Sequence, residues 1–278
     1  MEIHNIEDMQ EIWVKSTVDD TMQPSLFYES KQKNSPLLVG LHTWSCDRFN
    51  QVERMMPLAK KNGWNLLLPE FRGANLKSNS NCIDACGSLK AKQDILDAVD
   101  YVVDKYSIDA QNILLLGASG GGHMALLMAA YAPKMWRAVS SFVPITDLEK
   151  WYEESDSYRE HIAACCGGEP RMFRESEVLT NSVIKDMEID LQYKFRSPIH
   201  YVKQISQATV KIYTGKRDPI VPSHHGLDLY NLIYNQYPEA DVYFEMFDGG
   251  HEMILEKAES WLLTRVDRTK RQQETVTG

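Results

Sequence analysis

Residues 112–131 constrain the fold more than any other stretch. Asn112–Leu116 (NILLL) is a short apolar run, Gly117-Ala118-Ser119-Gly120-Gly121 follows, and a helix-like segment then runs to Tyr131 and halts before Pro133. A strand this apolar needs cover on both faces, which parallel sheets with helices on either side provide. G-x-S-x-G between such a strand and a helix is the context of a nucleophile elbow. The sharp turn strains the serine backbone, small neighbours let adjacent chain pass close by, and Ser119 Oγ projects beyond the sheet edge. The Gly120 N–H, at the helix start, points where an oxyanion would develop. A phosphate-binding turn fits less well: the glycines do not follow G-x-G-x-x-G, and no Lys-Ser/Thr pair follows.

The rest of the chain alternates in the same way. Residues 11–18 and 24–30 read as two early strands, with Pro36–His42, Trp64–Leu68, Ala138–Val143, Thr209–Thr214 and Asp241–Phe247 as later ones. Helical patterns cover 51–62 (stopped by Asn62-Gly63), Ser88–Tyr106, Ser223–Asn235 and about Glu252–Val266. Strands alternating with helices imply βαβ units, and so an α/β fold with a doubly wound, mostly parallel sheet. The expected organisation is a single domain over 1–278. It is interrupted at about 147–197 by a charged, aromatic-bearing stretch, with Trp151, Tyr158, Phe173 and Tyr193, that is too long for a bare loop and reads as a small helical cap. The polar tail after Val266 is expected to fray.

Sites in doubly wound sheets lie at the carboxyl ends of the strands. A serine needs a base held by an acid, and the chain order for this architecture is Ser, then Asp or Glu, then His. Asp218 follows the strand ending at Thr214, and His251 follows the strand ending at Phe247. Asp147, after Val143-Pro-Ile-Thr, is the rival acid; Asp218 is favoured because its strand directly precedes the one bearing His251. His42, His123, His161, His200, His224 and His225 lack the combination of strand end, flanking glycines and chain order. The second oxyanion donor is expected from the loop after His42, with the Trp44 N–H as the candidate.

Charge and cysteine content limit the alternatives. Thirty Lys and Arg against 39 Asp and Glu leave a formal charge of −9, a poor match to a phosphate backbone, so no nucleic-acid partner is expected. No apolar run approaches the ~18 residues of a membrane span, and MEIHNIEDMQ lacks the apolar segment of a secretory signal. A cytoplasmic location without membrane partner is the expectation. Five cysteines, Cys46, Cys82, Cys86, Cys165 and Cys166, are an odd count and read as free thiols. Cys82 and Cys86 leave a pairing open, but no further His or Cys sits near them at zinc-site spacing, so no metal is expected.

The chain resembles the α/β-hydrolase superfamily, and within it the catalytic domain of the prolyl oligopeptidase family, which includes acylaminoacyl and dipeptidyl peptidases. The resemblance rests on LHTWS (41–45), PEFRG (69–73), GASGGGHMAL (117–126), SPIHYV (197–202), TGKRDPIVP (214–222) and DGGHE (248–252). It implies Ser119 as nucleophile, Asp218 as acid, His251 as base and no cofactor. Two departures stand out. About 35 residues precede the first strand of the catalytic fold, where peptidases of the family usually carry a β-propeller, and Thr43-Trp44 replaces the family's small or glycine-rich oxyanion segment.

The expected function is a serine hydrolase acting on a small-molecule ester or short peptide through an acyl-enzyme on Ser119, with the oxyanion on the N–H groups of Trp44 and Gly120. An esterase is favoured over a prolyl-oligopeptidase-like peptidase, and a non-catalytic binding protein of the same fold is the rival of another class. Oligomeric state stays open, with homo-oligomers common for such folds. Trp44, Trp151 and the other aromatics of 147–197 point to an apolar or aromatic substrate group, and Arg72 and Arg217 are expected beside the site as solvated side chains.

Overall fold

The computed structural model describes residues 6, 8–170 and 181–266. Phe173, the tail after Val266 and nearly all of the first seven residues lie outside the described residues. One eight-stranded sheet forms the centre, built from β1 (Gln10–Lys15), β2 (Met22–Tyr28), β3 (Ser35–Leu41), β4 (Asn65–Pro69), β5 (Ile108–Ala118), β6 (Ala138–Phe142), β7 (Val210–Gly215) and β8 (Val242–Phe247). The strand order is β1-β2-β4-β3-β5-β6-β7-β8. The β1–β2 hairpin pairs antiparallel to β4, and every pairing from β4 onward is parallel. The expected α/β class and doubly wound sheet hold.

Local chemistry sets the helix limits. In α1 (Val52–Asn62) the chain leaves the helix at Gly63, whose φ of 64° is the left-handed stop that glycine adopts without strain. Ser88 caps α2 (Leu89–Lys105), its Oγ accepting from Ala91 N at 3.0 Å. The helix after the elbow, α3 (Gly120–Tyr131), is buried from Gly120 to Ala130, and a helix apolar all round belongs at the centre of a domain. One core cluster packs α2, α3 and α8 (His224–Gln236) on one sheet face, and a second packs α1 and α9 (Leu255–Arg265) on the other. With both faces covered, β3 and β4 are buried along their whole length.

Between β6 and β7 lie α4 (Leu148–Glu154), α5 (Arg159–Cys166), α6 (Asn181–Phe195) and a short α7 (Val202–Ile205). A third apolar cluster ties α4, α5 and α6 to Trp44, just past β3, and to Val221, just past β7. Among the described residues no helix is long and apolar enough to cross a membrane.

Arg72 departs from expectation. Its guanidinium is buried, bonded to both carboxylate oxygens of Asp94, to Asp19 at 2.9 and 3.0 Å, and to Ser16 Oγ at 3.1 Å. Arg72 is therefore a structural tie between the loop after β4, the β1–β2 turn and α2, not a solvated side chain at the site. The Arg72 hydrogen bond holds the Asp19 carboxyl well below its usual range, so this contribution to stability is present above the ordinary carboxylate range and is lost as the pH falls. Arg72→Ala would leave the nearly inaccessible Asp94 carboxylate without a partner. Urea unfolding should then show a loss of about 3–5 kcal/mol, the usual cost of breaking one side of a buried pair. A loss below about 1 kcal/mol would mean that water replaces the guanidinium.

Candidate active site

The parallel strands deliver their following residues to one edge: Trp44 after β3, Ser119 after β5, Val143 after β6, Asp218 after β7 and His251 after β8. Ser119 has φ 56° and ψ −122°, a conformation that a side-chain-bearing residue keeps only when its surroundings impose it. They do so here. The Ser119 N–H donates to Phe142 O at 2.9 Å, while a Cβ at Gly117 would run into the Gly121 carbonyl. Only glycine at 117 lets the incoming strand cross the first turn of α3 this closely. Ser119 makes no side-chain cap hydrogen bond to that helix.

His251 Nδ1–H donates to Asp218 Oδ2 at 2.7 Å, and the Asp218 side chain is fully buried. The other oxygen, Oδ1, accepts from the N–H groups of Ile220 at 2.9 Å and Val221 at 3.0 Å. The carboxylate is thus clamped by its own turn and presents one oxygen to the imidazole. Asp147, the rival acid, is occupied elsewhere: it caps α4, accepting from the N–H groups of Glu149 and Lys150.

Of the rival histidines, His123, His225, His161 and His42 are engaged elsewhere. His123 is fully buried and donates Nε2–H to Arg196 O at 2.6 Å; burial pushes its pKa down to about 4. Burial likewise lowers His225 to about 3. His161 Nδ1 accepts from Lys77 N at 3.3 Å. The ring nitrogens of His42 lie 2.9 Å from the carbonyls of Thr43 and Glu70, and the ring stacks on Phe71, so His42 braces the loop that carries Trp44.

That loop and the elbow approach as closely as backbones can. A Cβ at Gly120 would stand 2.5 Å from both N and Cα of Trp44. The Trp44 carbonyl accepts from Asn75 N at 2.8 Å, but neither the Trp44 N–H nor the Gly120 N–H donates in any described backbone bond. The first N–H groups of a helix have no partner inside it, so two unused donors sit side by side next to Ser119. The Trp44 ring is buried against Trp151 in an edge-on contact with centroids 4.8 Å apart.

Ser119, Trp44, Val143 and His251 line one cleft of about 290 Å³. Val143 has φ 42° and its N–H is tied to Tyr213 O at 2.7 Å, so a β-branched residue in a sparsely populated conformation also borders this cleft. The remaining lining is mostly polar, with Ser45, Asn50, Arg54, Tyr158 and Glu252 among it. Trp151 is fully buried and does not line the cleft, whereas Trp44 and Tyr158 do, so two of the aromatics expected at the site reach it and Trp151 does not. Arg217 pairs with Asp248 at the surface.

Sequence reasoning missed Arg54 and Glu252, whereas Tyr158 is one of the aromatics of 147–197 expected at the site. Arg54 sits in the first turn of α1, Tyr158 just before α5 and Glu252 directly after His251. The only sequence signal for them is their position after strand ends or inside the 147–197 insertion. The cysteines are all free, yet Cys165, 79 or more positions away in sequence, packs with Cys86 and Cys82 in the third cluster. The Cys86 contact and burial push its thiol up, a poor nucleophile.

The comparisons with known proteins agree with this architecture. The rat (Rattus norvegicus) acylamino-acid-releasing enzyme is 24% identical over 202 residues, which cover 71% of this chain and 26% of that protein. The chain thus spans about a quarter of the length of the curated relatives it matches. Among solved structures, an uncomplexed Pyrococcus horikoshii acylaminoacyl peptidase superposes with a TM-score of 0.66 at 18% identity, covering 96% of this chain and 41% of that one. A Pyrococcus furiosus esterase does so with a TM-score of 0.66 at 15% identity, covering 95% of this chain and 94% of that one. These two likenesses concern the fold. Family follows from the sequence itself, because the model described as the prolyl oligopeptidase family matches residues 50–266, well over half of the chain. The chain belongs to the prolyl oligopeptidase family, a family of serine hydrolases.

Proposed function

We propose that the protein hydrolyses small carboxylic esters through an acyl-enzyme on Ser119. The observation that carries this reading is the 2.7 Å contact of His251 with a clamped, buried Asp218, with His251 and Ser119 lining the same cleft. Ser119 Oγ attacks the substrate carbonyl carbon and its proton passes to His251 Nε2. Asp218 holds Nδ1–H, so that Nε2 carries the lone pair, and stabilises the imidazolium that forms. The carbonyl oxygen, now an anion, rests on the N–H groups of Gly120 and Trp44. His251 returns the proton to the departing alcohol, then takes one from water as it attacks the acyl-enzyme. His251 finally returns that proton to Ser119 Oγ as the carboxylic acid leaves, so one turnover restores the pair, with water supplying the proton that the alcohol carried away.

An ester is favoured over a peptide because the cleft is small and polar, suited to a short acyl group rather than an extended chain, and because an esterase of nearly the same length shares the fold. The specific observation favouring a peptidase is the match to acylamino-acid-releasing enzymes. In either case, α4 to α6 act as the cap: they bring Tyr158 to the cleft and pack against Trp44.

Short-chain p-nitrophenyl esters assayed beside N-acetylaminoacyl p-nitroanilides separate the two readings. Turnover of the esters alone supports the esterase, and anilide turnover moves the function to a peptidase. Failure on both, together with no labelling by a fluorophosphonate, would identify a non-catalytic binding protein. The oxyanion pair has its own test in Gly120→Ala, whose Cβ would press on the Trp44 backbone and spread the two donors. The expected result is a kcat lower by about 10²–10³-fold with KM nearly unchanged; an unchanged kcat would place the oxyanion elsewhere.

A further inference from the structure

Away from the cleft, Glu154 at the end of α4 meets His224 and His225, the first two residues of α8. His224 Nε2 stands 3.0 Å from Glu154 Oε1, and His225 Nε2 stands 3.2 Å from Oε2. One donor atom from each of the three side chains lies within 4.8 Å of the other two. Successive residues on a helix do not normally face the same way. Here the two rings stack, with centroids 5.0 Å apart and planes inclined by 24°, and both turn their Nε2 atoms onto one carboxylate.

We propose that Glu154, His224 and His225 form a binding site for a divalent metal ion of the zinc class. Two imidazole nitrogens and one carboxylate oxygen are a donor set that zinc takes in proteins, at about 2.0–2.2 Å from each atom. A tetrahedral ion at such distances holds its ligands about 3.3 Å apart, close to the two His–carboxylate separations of 3.0 and 3.2 Å; the widest gap among the three donors stays within 4.8 Å and has to close on binding. The His225 side chain is fully buried while Glu154 and His224 are about one-third exposed, so the site is closed on one side and leaves a fourth position for water on the other. The adjacent Lys150 ammonium is bonded to Asp228 at 2.9 Å, which leaves the Glu154 carboxylate for the ion.

Binding would switch the tautomer of His225. A metal on His225 Nε2 needs the proton on Nδ1, where Thr146 Oγ1 stands 3.5 Å away as acceptor while donating its own proton to His225 O at 2.7 Å. Without metal, Nε2–H donates to Glu154 and Nδ1 accepts from the Thr146 N–H at 3.4 Å. The Thr146 N–H favours the metal-free tautomer, so ion binding displaces that bond and leaves Thr146 Oγ1 as the acceptor for Nδ1–H. The ion would fasten α4 to the start of α8. The same helix already reaches the Asp218 turn through Trp151 Nε1–H, which donates to Ile220 O at 3.1 Å. Sequence spacing conceals this site, since the histidines lie 70 and 71 positions from Glu154.

The inference does not rest on the hydrolase reading, and its test needs no substrate. Chelator-treated protein titrated with zinc chloride should bind one ion in calorimetry. Its melting temperature should rise by about 5–10 °C at a hundredfold excess over Kd. Cobalt(II) should give the visible absorption of a tetrahedral N/O site. Glu154→Gln and His224→Gln should each weaken binding beyond the roughly 10–100-fold that loss of an outer partner costs; His224 is the more exposed histidine, so its variant tests binding without disturbing the core. No zinc uptake by the wild-type protein would overturn the proposal. So would uptake that survives both substitutions but disappears in Cys165→Ser, which would assign the ion to the thiols.

Discussion

Ser119→Ala is expected to lower kcat on a short-chain ester by about 10⁵–10⁶-fold, the effect of losing the nucleophile from a unit whose members act together. The fold should not suffer. Alanine keeps the Cβ that makes φ 56°, ψ −122° strained and loses only a hydroxyl with no cap bond in α3, so the melting temperature should stay within a degree or two. Ser119→Gly sharpens the test: glycine adopts the elbow conformation freely, and relief of the strain should raise stability by about 1 kcal/mol or more while activity stays absent. Inactivity accompanied by unfolding in both variants would mean that Ser119 is structural. Full activity in Ser119→Ala would sink the nucleophile assignment.

The second large effect is expected from Asp218→Asn, for a reason specific to this turn. The N–H groups of Ile220 and Val221 both point at Oδ1, and only an oxygen can accept from them. An asparagine must therefore place its carbonyl there and its NH₂ toward His251 Nδ1. The imidazole is then forced to accept at Nδ1 and carry its proton on Nε2, the tautomer that cannot take a proton from Ser119. A kcat loss of about 10⁴-fold with KM and melting temperature nearly unchanged is the expected outcome. Asp218→Ala separates orientation from architecture: it leaves two turn N–H groups without their acceptor, and a stability loss of about 1–3 kcal/mol should appear alongside inactivity. Undiminished activity in Asp218→Asn would show that Asp218 holds the turn and does not orient the base.

Much of the fold was legible before any coordinates. The centre of β5, residues 112–116, was readable because a strand covered on both faces is largely apolar, while its start at Ile108, with Ala110 and Gln111 exposed, was not; α1 was readable because Gly63 stops it. The elbow was readable because strain at Ser119 demands small residues at fixed offsets. These are signals carried by neighbours in sequence. The choice between Asp147 and Asp218 was only arguable from chain order, since both follow parallel strands; the structure separates them by showing one capping α4 and the other against His251.

Other features depended wholly on long-range packing. Arg72 looked like a solvated cation at the site edge because nothing near it in sequence announces Asp19 and Asp94, which meet it from the β1–β2 turn and from α2. Which aromatics of the insertion reach the cleft was not legible, because composition does not say which way a ring faces; Trp151 turned inward, while Tyr158 joined Arg54 and Glu252 on the cleft wall.

By itself, then, the sequence determined the parallel sheet, the strained serine turn and the order in which serine, acid and histidine arrive at one edge, because periodicity, glycine placement and chain order are local properties. Only the tertiary structure decided which acid meets the imidazole, what lines the cleft and how Glu154 comes to face His224 and His225, because each of those contacts joins residues whose separation along the chain carries no trace of their distance in space.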